Sequence, residues 1–423
     1  MRAAHRLAAG VDGLLTRERV RNYSWICLVL GLAAQVANAA LGHFPLTGAH
    51  DVLLPDYLAR WTAGRLVLEG HAGVLYDPAA QEQLQHALVP GSRGLSWFVS
   101  PPFAVLGYLP LALLPYGVSA LGWAVVSVTL LVVAARAVRP LADGAGSPGA
   151  GDLRLLLLVF AASPAVLELV AAGQDTAVVL VLVVVALRLL LDGREIAAGT
   201  LLALATVKPQ LLVLVPVALL AQRRHRAVAA FATGTAALVL LSLPLVGTSG
   251  WRSWLAALHS PLYRTGVQQG QTWKMQSVSA LATALGAPTV TGWLVLAVGA
   301  GVLVVRARRV RSDTRHVWAL TLLTTVVCSP HVLQYDLVLL LPVMVFLHDR
   351  VDTRAVRLLG FGTVLLLATV AVRHVLAGPL GGTGQLLEAP WSALTLLGVW
   401  FALLRVPAGA GSVLPEPATA ERR

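Results

Sequence analysis

Apolar residues in this chain gather into runs separated by short polar breaks, and the lengths of those runs define its elements. About twenty apolar residues in helical geometry cross the hydrocarbon core of a bilayer. Ser24 to Leu41 is a first such run, followed by a long polar loop, Gly42 to Trp97, that carries Asp51, Asp56, Glu69, Asp77 and Glu82. Phe98-Val99-Ser100-Pro101-Pro102-Phe103 then leads into Ala104 to Leu114, punctuated by Pro110 and Pro115. Prolines at that spacing predict a short surface or re-entrant helix and not a crossing. Further spans are expected at about Val118 to Ala135, Leu155 to Val170, Thr176 to Leu191, Ala197 to Val207, Leu211 to Leu220, Ala227 to Val246, Val290 to Val305, Val317 to Cys328, Leu337 to Leu347, Val356 to Val372 and Trp391 to Leu404. With the first they make twelve, so the expected fold class is an all-α polytopic membrane protein, a bundle of about 12 transmembrane helices.

Composition agrees. With 57% apolar and 12% charged residues, a soluble globule of 423 residues is excluded. The net charge of +12 comes from cations clustered between apolar runs, where they orient helices, so no nucleic acid partner is expected. With both termini cytoplasmic, 24 of the 32 Lys and Arg fall inside and 8 outside, the bias of a bacterial plasma-membrane protein. Residues 1–23 read as a cytoplasmic tail without a signal-peptide cleavage site, 24–405 as the membrane domain with 42–116 its first outer loop, and 406–423 as a disordered cytoplasmic tail. Cys27 and Cys328 lie in separate apolar runs and imply no disulfide framework. Arg outnumbers Lys thirty to two, which points to a GC-rich bacterial genome.

The candidate chemistry clusters at the outer ends of the spans. Asp56, Arg60 and Arg65 share a helical register with Tyr57, Trp61, Leu66 and Leu68, the pattern of a helix lying at a membrane surface with its carboxylate toward water. On the same face the topology places Asp51, Gly173-Gln174-Asp175, Lys208-Pro209-Gln210, Trp273-Lys274, Ser329-Pro330-His331 and Gln334-Tyr335-Asp336. Lys208 precedes Pro209 at the first turn of a helix, so its ammonium and the free N–H groups outline a phosphate site. Glu168, ionisable and inside a span, is a site candidate by default.

Several of these motifs taken in order resemble glycosyltransferase family 87 of the GT-C superfamily: Asp56-Tyr57 through Ala63-Gly64-Arg65-Leu66-Val67-Leu68-Glu69-Gly70, Tyr76-Asp77, Pro101-Pro102, Gly173-Gln174-Asp175, Ala198-Gly199, Lys208-Pro209-Gln210, Gln276-Ser277 and Tyr335-Asp336-Leu337. The resemblance implies a GT-C bundle that moves a sugar, mannose in the actinobacterial members, from a polyprenyl-phosphate donor to a glycolipid or glycan. It departs at Ser100, where an aromatic residue is expected before the paired prolines. By position in the motif it implies Asp56 as the general base, with Asp51 the rival. The lipid-linked sugar is a co-substrate, no cofactor is implied, and membrane lipids are the surroundings; the metal requirement and oligomeric state stay open.

Each assignment has a structural alternative. Asp175 is either the N-cap of the helix at Thr176 or a substrate contact. Lys208 either binds the donor phosphate or snorkels to the interface. His331, Gln174 and Gln210 are donor contacts, or His331 and Asp336 only terminate helices, with Tyr335 beside them. Arg60 and Arg65 either bind the donor or anchor to headgroups or pair with Glu69. At the level of the whole chain, the alternatives are a transporter or lipid flippase, against which the absence of repeated halves argues, and a catalytically silent scaffold of the same fold.

Overall fold

The computed structural model describes residues 15–43, 46–47, 50–90, 96–141, 150–351 and 353–407. Most of the expected tail 406–423, and residues 1–14 of the other, lie outside them. Among the described residues the named elements are all helical, joined by two isolated bridges, Leu46 with Val52 and Met275 with Leu333.

Among the described residues five helices are long and apolar enough to cross a membrane: Arg17–Ala40, Tyr116–Leu141, His225–His259, Val290–Arg309 and Gly384–Leu404. Two bent pairs raise the number to seven. Between their charged ends these helices leave many apolar side chains exposed, Leu30, Val36, Leu121, Val125, Leu240, Leu241, Leu294 and Val298 among them, which is the surface a bilayer covers. The chain is an all-α integral membrane protein. The shorter apolar helices Thr176–Leu191, Glu195–Val207 and Pro209–Ala221 fall below the length of a full span.

Several expected boundaries shift for local reasons. The first helix starts at Arg17, because Thr16 accepts from the Arg19 N–H and Glu18 sits in the positive first turn, so Arg17 to Tyr23 is helical. The run from Leu155 to Val170 is not one straight helix but Asp152–Ala161 and Pro164–Ala172, bent by 46°. Pro164 has no N–H to continue the ladder, and Ser163 caps the second half. The expected span Val356 to Val372 breaks likewise, by 48°, where the Thr369 hydroxyl turns back on the Leu365 and Leu366 carbonyls. The helix from His225 instead runs past Val246 to His259, kinked at Gly247.

The core is a helical frame in which Thr176–Leu191 packs against Glu195–Leu204 and Tyr116–Ala137, and Glu195–Leu204 lies along His225–His259. Gly199 permits that last approach, since a Cβ there would stand 2.8 Å from the Ala230 Cβ. Against one end of this frame sits Pro55–Leu68. It is not the surface helix its pattern predicts: nine of its fourteen residues are buried, because Tyr57, Leu58, Trp61, Ala63 and Leu66 put apolar groups all round it. Leu109–Ala112 and Pro78–Leu88 pack onto it.

Candidate active site

Two local conformations fix the start of the Pro55–Leu68 helix. Leu54 occupies the left-handed region (φ 54°, ψ 56°), a conformation that needs support from its surroundings. The support is the Gly173 turn. Gly173 itself has φ 70°, and any Cβ on it would lie 2.7 Å from the Tyr57 Cβ and 2.9 Å from the Leu54 Cβ. Trp123 donates its indole N–H to the Gly173 carbonyl at 2.9 Å and stacks on Tyr57 with ring centres 5.2 Å apart. Asp56 in the first helical turn is therefore held directly beside Gln174 and Asp175.

The side chains that meet there form one network. The Arg60 guanidinium donates to both oxygens of Asp175, Nε to Oδ2 at 3.0 Å and Nη2 to Oδ1 at 2.9 Å, and Nη2 also to Gln174 Oε1 at 2.9 Å. Tyr108 donates its hydroxyl to Asp175 Oδ2 at 2.7 Å. Lys208 donates to Gln174 Oε1 at 2.8 Å, to Thr176 Oγ1 at 2.7 Å and to Asp336 Oδ1 at 3.1 Å, and stands over the Tyr335 ring at 4.7 Å. Asp336 accepts in addition from Thr176 Oγ1 at 2.7 Å and, through Oδ2, from the Leu333 N–H at 3.1 Å. Asp56 closes the network at its accessible end: Ser96 donates to its Oδ1 at 2.9 Å and Gln174 Nε2 to its Oδ2.

Burial sorts these groups. Asp175 and Asp336 are almost fully buried, Arg60 and Lys208 nearly so, and Asp56 is only half-buried. Burial alone would raise the Asp175 carboxyl; the Arg60 guanidinium and the Lys208 ammonium outweigh it and hold that carboxyl well below the usual carboxylate range. The buried carboxylates are thus matched by buried cations, as burying charge requires.

Beside this network runs a more open strip. Glu168, for which the sequence names no partner, faces Lys274 at 3.7 Å, and Lys274 lies over the Trp273 ring at 4.9 Å. Trp273 stacks flat on His374 at 3.9 Å, and His374 meets Glu388 at 2.7 Å. Among the described residues His331 Nδ1 is buried without a hydrogen-bond partner, as are Trp97 Nε1 and Gln334 Oε1. Burial lowers the His331 pKa, keeping its ring neutral.

The expected site residues separate accordingly. Asp56, Gln174, Asp175, Arg60, Lys208, Tyr335 and Asp336 come together. Asp51 does not: it lies exposed in the turn where its backbone pairs with Thr47. Gln210 is half-buried, two residues after Lys208. Arg65 pairs with Glu69 on the surface at 2.5 Å, whereas Arg60 is no headgroup anchor but the buried partner of Asp175. Asp175 stands at the N-cap position of Thr176–Leu191, yet its side chain makes no cap bond. Lys208 does not snorkel, and Gln174, Thr176 and Asp336 take its three N–H donors, leaving none for a phosphate. Sequence reasoning missed Ser96, Tyr108 and Thr176. Ser96 is placed by Gln85, and Phe98 by Gln81, through paired side-chain to backbone bonds from the Pro78–Leu88 helix. Ser100, the departure from the family pattern, accepts the Tyr76 hydroxyl on its carbonyl at 2.7 Å.

A half-accessible carboxylate backed by paired buried charges, in a membrane-embedded helical protein, is an arrangement that an enzyme can use. The family profile agrees: glycosyltransferase family 87 matches residues 98–330, more than half of the chain, and the protein belongs to that family. It is a glycosyltransferase. The matched region contains Gln174, Asp175 and Lys208, while Asp56 and Asp336 lie to either side of it. No curated protein and no solved structure matches the chain.

Proposed function

We propose that the protein is a GT-C mannosyltransferase that moves mannose from a polyprenyl phosphate to a hydroxyl of a glycolipid or glycan on the outer face of a bacterial plasma membrane, in a twelve-span topology with both termini cytoplasmic. Asp56 is the general base. The acceptor oxygen bonds to the anomeric carbon as the bond from that carbon to the phosphate oxygen breaks; the lipid phosphate leaves as an anion, and the acceptor proton passes to the Asp56 carboxylate. A phosphate leaving group needs little acid assistance, so one base suffices. Attack opposite the phosphate inverts the anomeric centre, giving an α product from a β donor.

The observation that carries the reading is the contrast among the carboxylates: Asp175 and Asp336 are buried against cations, and Asp56 is half-exposed with, among the described residues, only neutral donors on its carboxylate oxygens. The donor phosphate is assigned to Lys274, whose ammonium meets, among the described residues, Glu168 at 3.7 Å and the Trp273 ring, and His331 Nδ1 is assigned to a sugar hydroxyl. Asp56→Asn keeps size and polarity but cannot take the proton, so incubation of purified protein with radiolabelled polyprenyl-phosphate-mannose and membrane lipid extract should show kcat reduced by about 10²-fold or more at unchanged donor KM. Full activity of Asp56→Asn, with loss in Asp51→Asn, moves the base to the exposed turn. The orientation is read by a single cysteine in the loop 42–97, which should react with an impermeant reagent in intact cells while Arg309→Cys does not.

A further inference from the structure

Gln174 holds a position that its type alone does not explain. Its side-chain oxygen accepts from two cations at once, Arg60 Nη2 at 2.9 Å and Lys208 Nζ at 2.8 Å. Neither cation can accept a hydrogen bond, so the amide has one permitted orientation: turned over, its NH2 would face a guanidinium and an ammonium. That orientation aims Nε2 at Asp56 Oδ2. The cations are fixed in turn, Arg60 by the two oxygens of Asp175 and Lys208 by Asp336 and Thr176. Behind them Tyr108 bonds Asp175, and the Leu333 N–H bonds Asp336.

We propose that Gln174 is a positioning residue for the Asp56 carboxylate, its amide locked by Arg60 and Lys208 so that it always presents a donor, never an acceptor, to the base. The proposal rests on reading Asp56 as the base and adds what the surrounding charges are for. Arg60 Nη1 donates to the Asp56 backbone carbonyl, but with Arg60, Lys208, Asp175 and Asp336 paired among themselves neither cation bonds the Asp56 carboxylate among the described residues, and a carboxylate bonded directly to a cation would be a poorer proton acceptor. A neutral amide passes on the rigidity of the buried pairs without passing on their charge. It holds Oδ2 while Ser96 holds Oδ1 at 2.9 Å, so the plane of the carboxylate is set from both sides. Such preorganisation belongs to catalytic geometry and not to substrate affinity.

Gln174→Glu tests it, because the new side chain has the same shape, still accepts from Arg60 and Lys208, and replaces the donor at Asp56 with an acceptor. Two facing carboxylates must share a proton. Relative to wild type, with radiolabelled polyprenyl-phosphate-mannose and membrane lipid extract, the acid limb of the kcat profile should move up by about one pH unit or more, and kcat at neutral pH should fall by about tenfold or more, with donor KM within about twofold. Gln174→Asn retains both amide groups on a chain one methylene shorter, withdraws the donor from Asp56, and should show the kcat loss without the shift of the limb. A wild-type kcat in either folded variant, beside an inactive Asp56→Asn, overturns the positioning role and leaves the base reading standing. Full activity of Asp56→Asn overturns the base reading itself, and the role of Gln174 with it. Thermal unfolding in detergent establishes that each variant is folded, and the two substitutions load the buried cations differently, so one failing to fold leaves the other to decide.

Discussion

The two lysines of this chain lie in contrasting surroundings. Lys208 is nearly buried, with three oxygens within 3.1 Å of its nitrogen, and the residues around it are paired in their turn. Lys274 is about one-third exposed, stands 3.7 Å from Glu168 and rests on an aromatic face. The first arrangement resists change, because moving any member leaves a buried charge without its partner. The second can exchange partners when a ligand arrives. Under the proposed mechanism the active site must hold a base still and also admit and release a charged lipid, which needs both, and here they adjoin: one side is the Arg60, Asp175, Lys208 and Asp336 network, the other the strip from Glu168 through Lys274 and Trp273 to His374.

The largest effect should come from breaking the rigid side. Removing one partner of a buried ion pair costs about 3–5 kcal/mol. Arg60→Ala leaves Asp175 facing Tyr108 and Lys208 alone and should lower Tm markedly in a thermal melt in detergent. Lys208→Ala should behave similarly and leave donor KM near wild type. A Lys208→Ala protein that melts like wild type but binds the donor poorly would reverse the assignment of the two lysines.

Acid sharpens the same point. Because the folded-state pKa of Asp175 is depressed, its contribution to stability is fully present above the ordinary carboxylate value of about 3.9 and is lost as pH falls toward the folded value. Wild-type Tm should therefore drop below about pH 4, and Arg60→Ala, which no longer holds that carboxyl as far down, should lose Tm less steeply over the same interval. Parallel curves would mean that the guanidinium does not depress the carboxyl.

On the open side the expected change is in binding. Lys274→Ala removes the ammonium assigned to the donor phosphate and should raise donor KM by about tenfold, equivalent to about 1.4 kcal/mol, while Tm stays within a degree or two. A shift in Tm without a shift in KM would make the pair with Glu168 structural.

These contrasts also mark how far the sequence could be read. Membrane character, the helical class and the short piece after Pro101-Pro102 follow from apolar runs and proline positions, which act locally. The bends at Ser163 and Thr369 carry local signals too, a serine before Pro164 and a threonine inside a helix, but a continuous apolar run conceals them. The Pro55–Leu68 helix was misplaced for a different reason. An arginine amid apolar residues reads as a surface feature until its carboxylate is known, and Asp175 lies 115 residues away in the chain. The motif residues Gln174, Asp175, Lys208 and Asp336 were legible as members of one cluster, whereas their pairing was not. Ser96 and Tyr108 carry no signal, since only the fold brings a loop serine to Asp56 and a tyrosine to Asp175.

The smallest effect is expected just beyond the network. Arg65 and Glu69 are one helical turn apart at the end of the Pro55–Leu68 helix and pair at 2.5 Å, with about a third of each side chain exposed. Arg60 and Asp175 meet at a similar distance, 2.9 Å, but almost out of contact with solvent. If distance set the strength of an ion pair, Arg65→Ala would cost as much as Arg60→Ala. Water screens the outer pair, and holding two long side chains together opposes it entropically, so an exposed pair of this spacing contributes only about 0.3–0.5 kcal/mol. Arg65→Ala and Glu69→Ala should therefore each leave Tm within about a degree of wild type, and added salt should erase what difference there is. A loss comparable to that of Arg60→Ala would show that burial does not separate the two pairs.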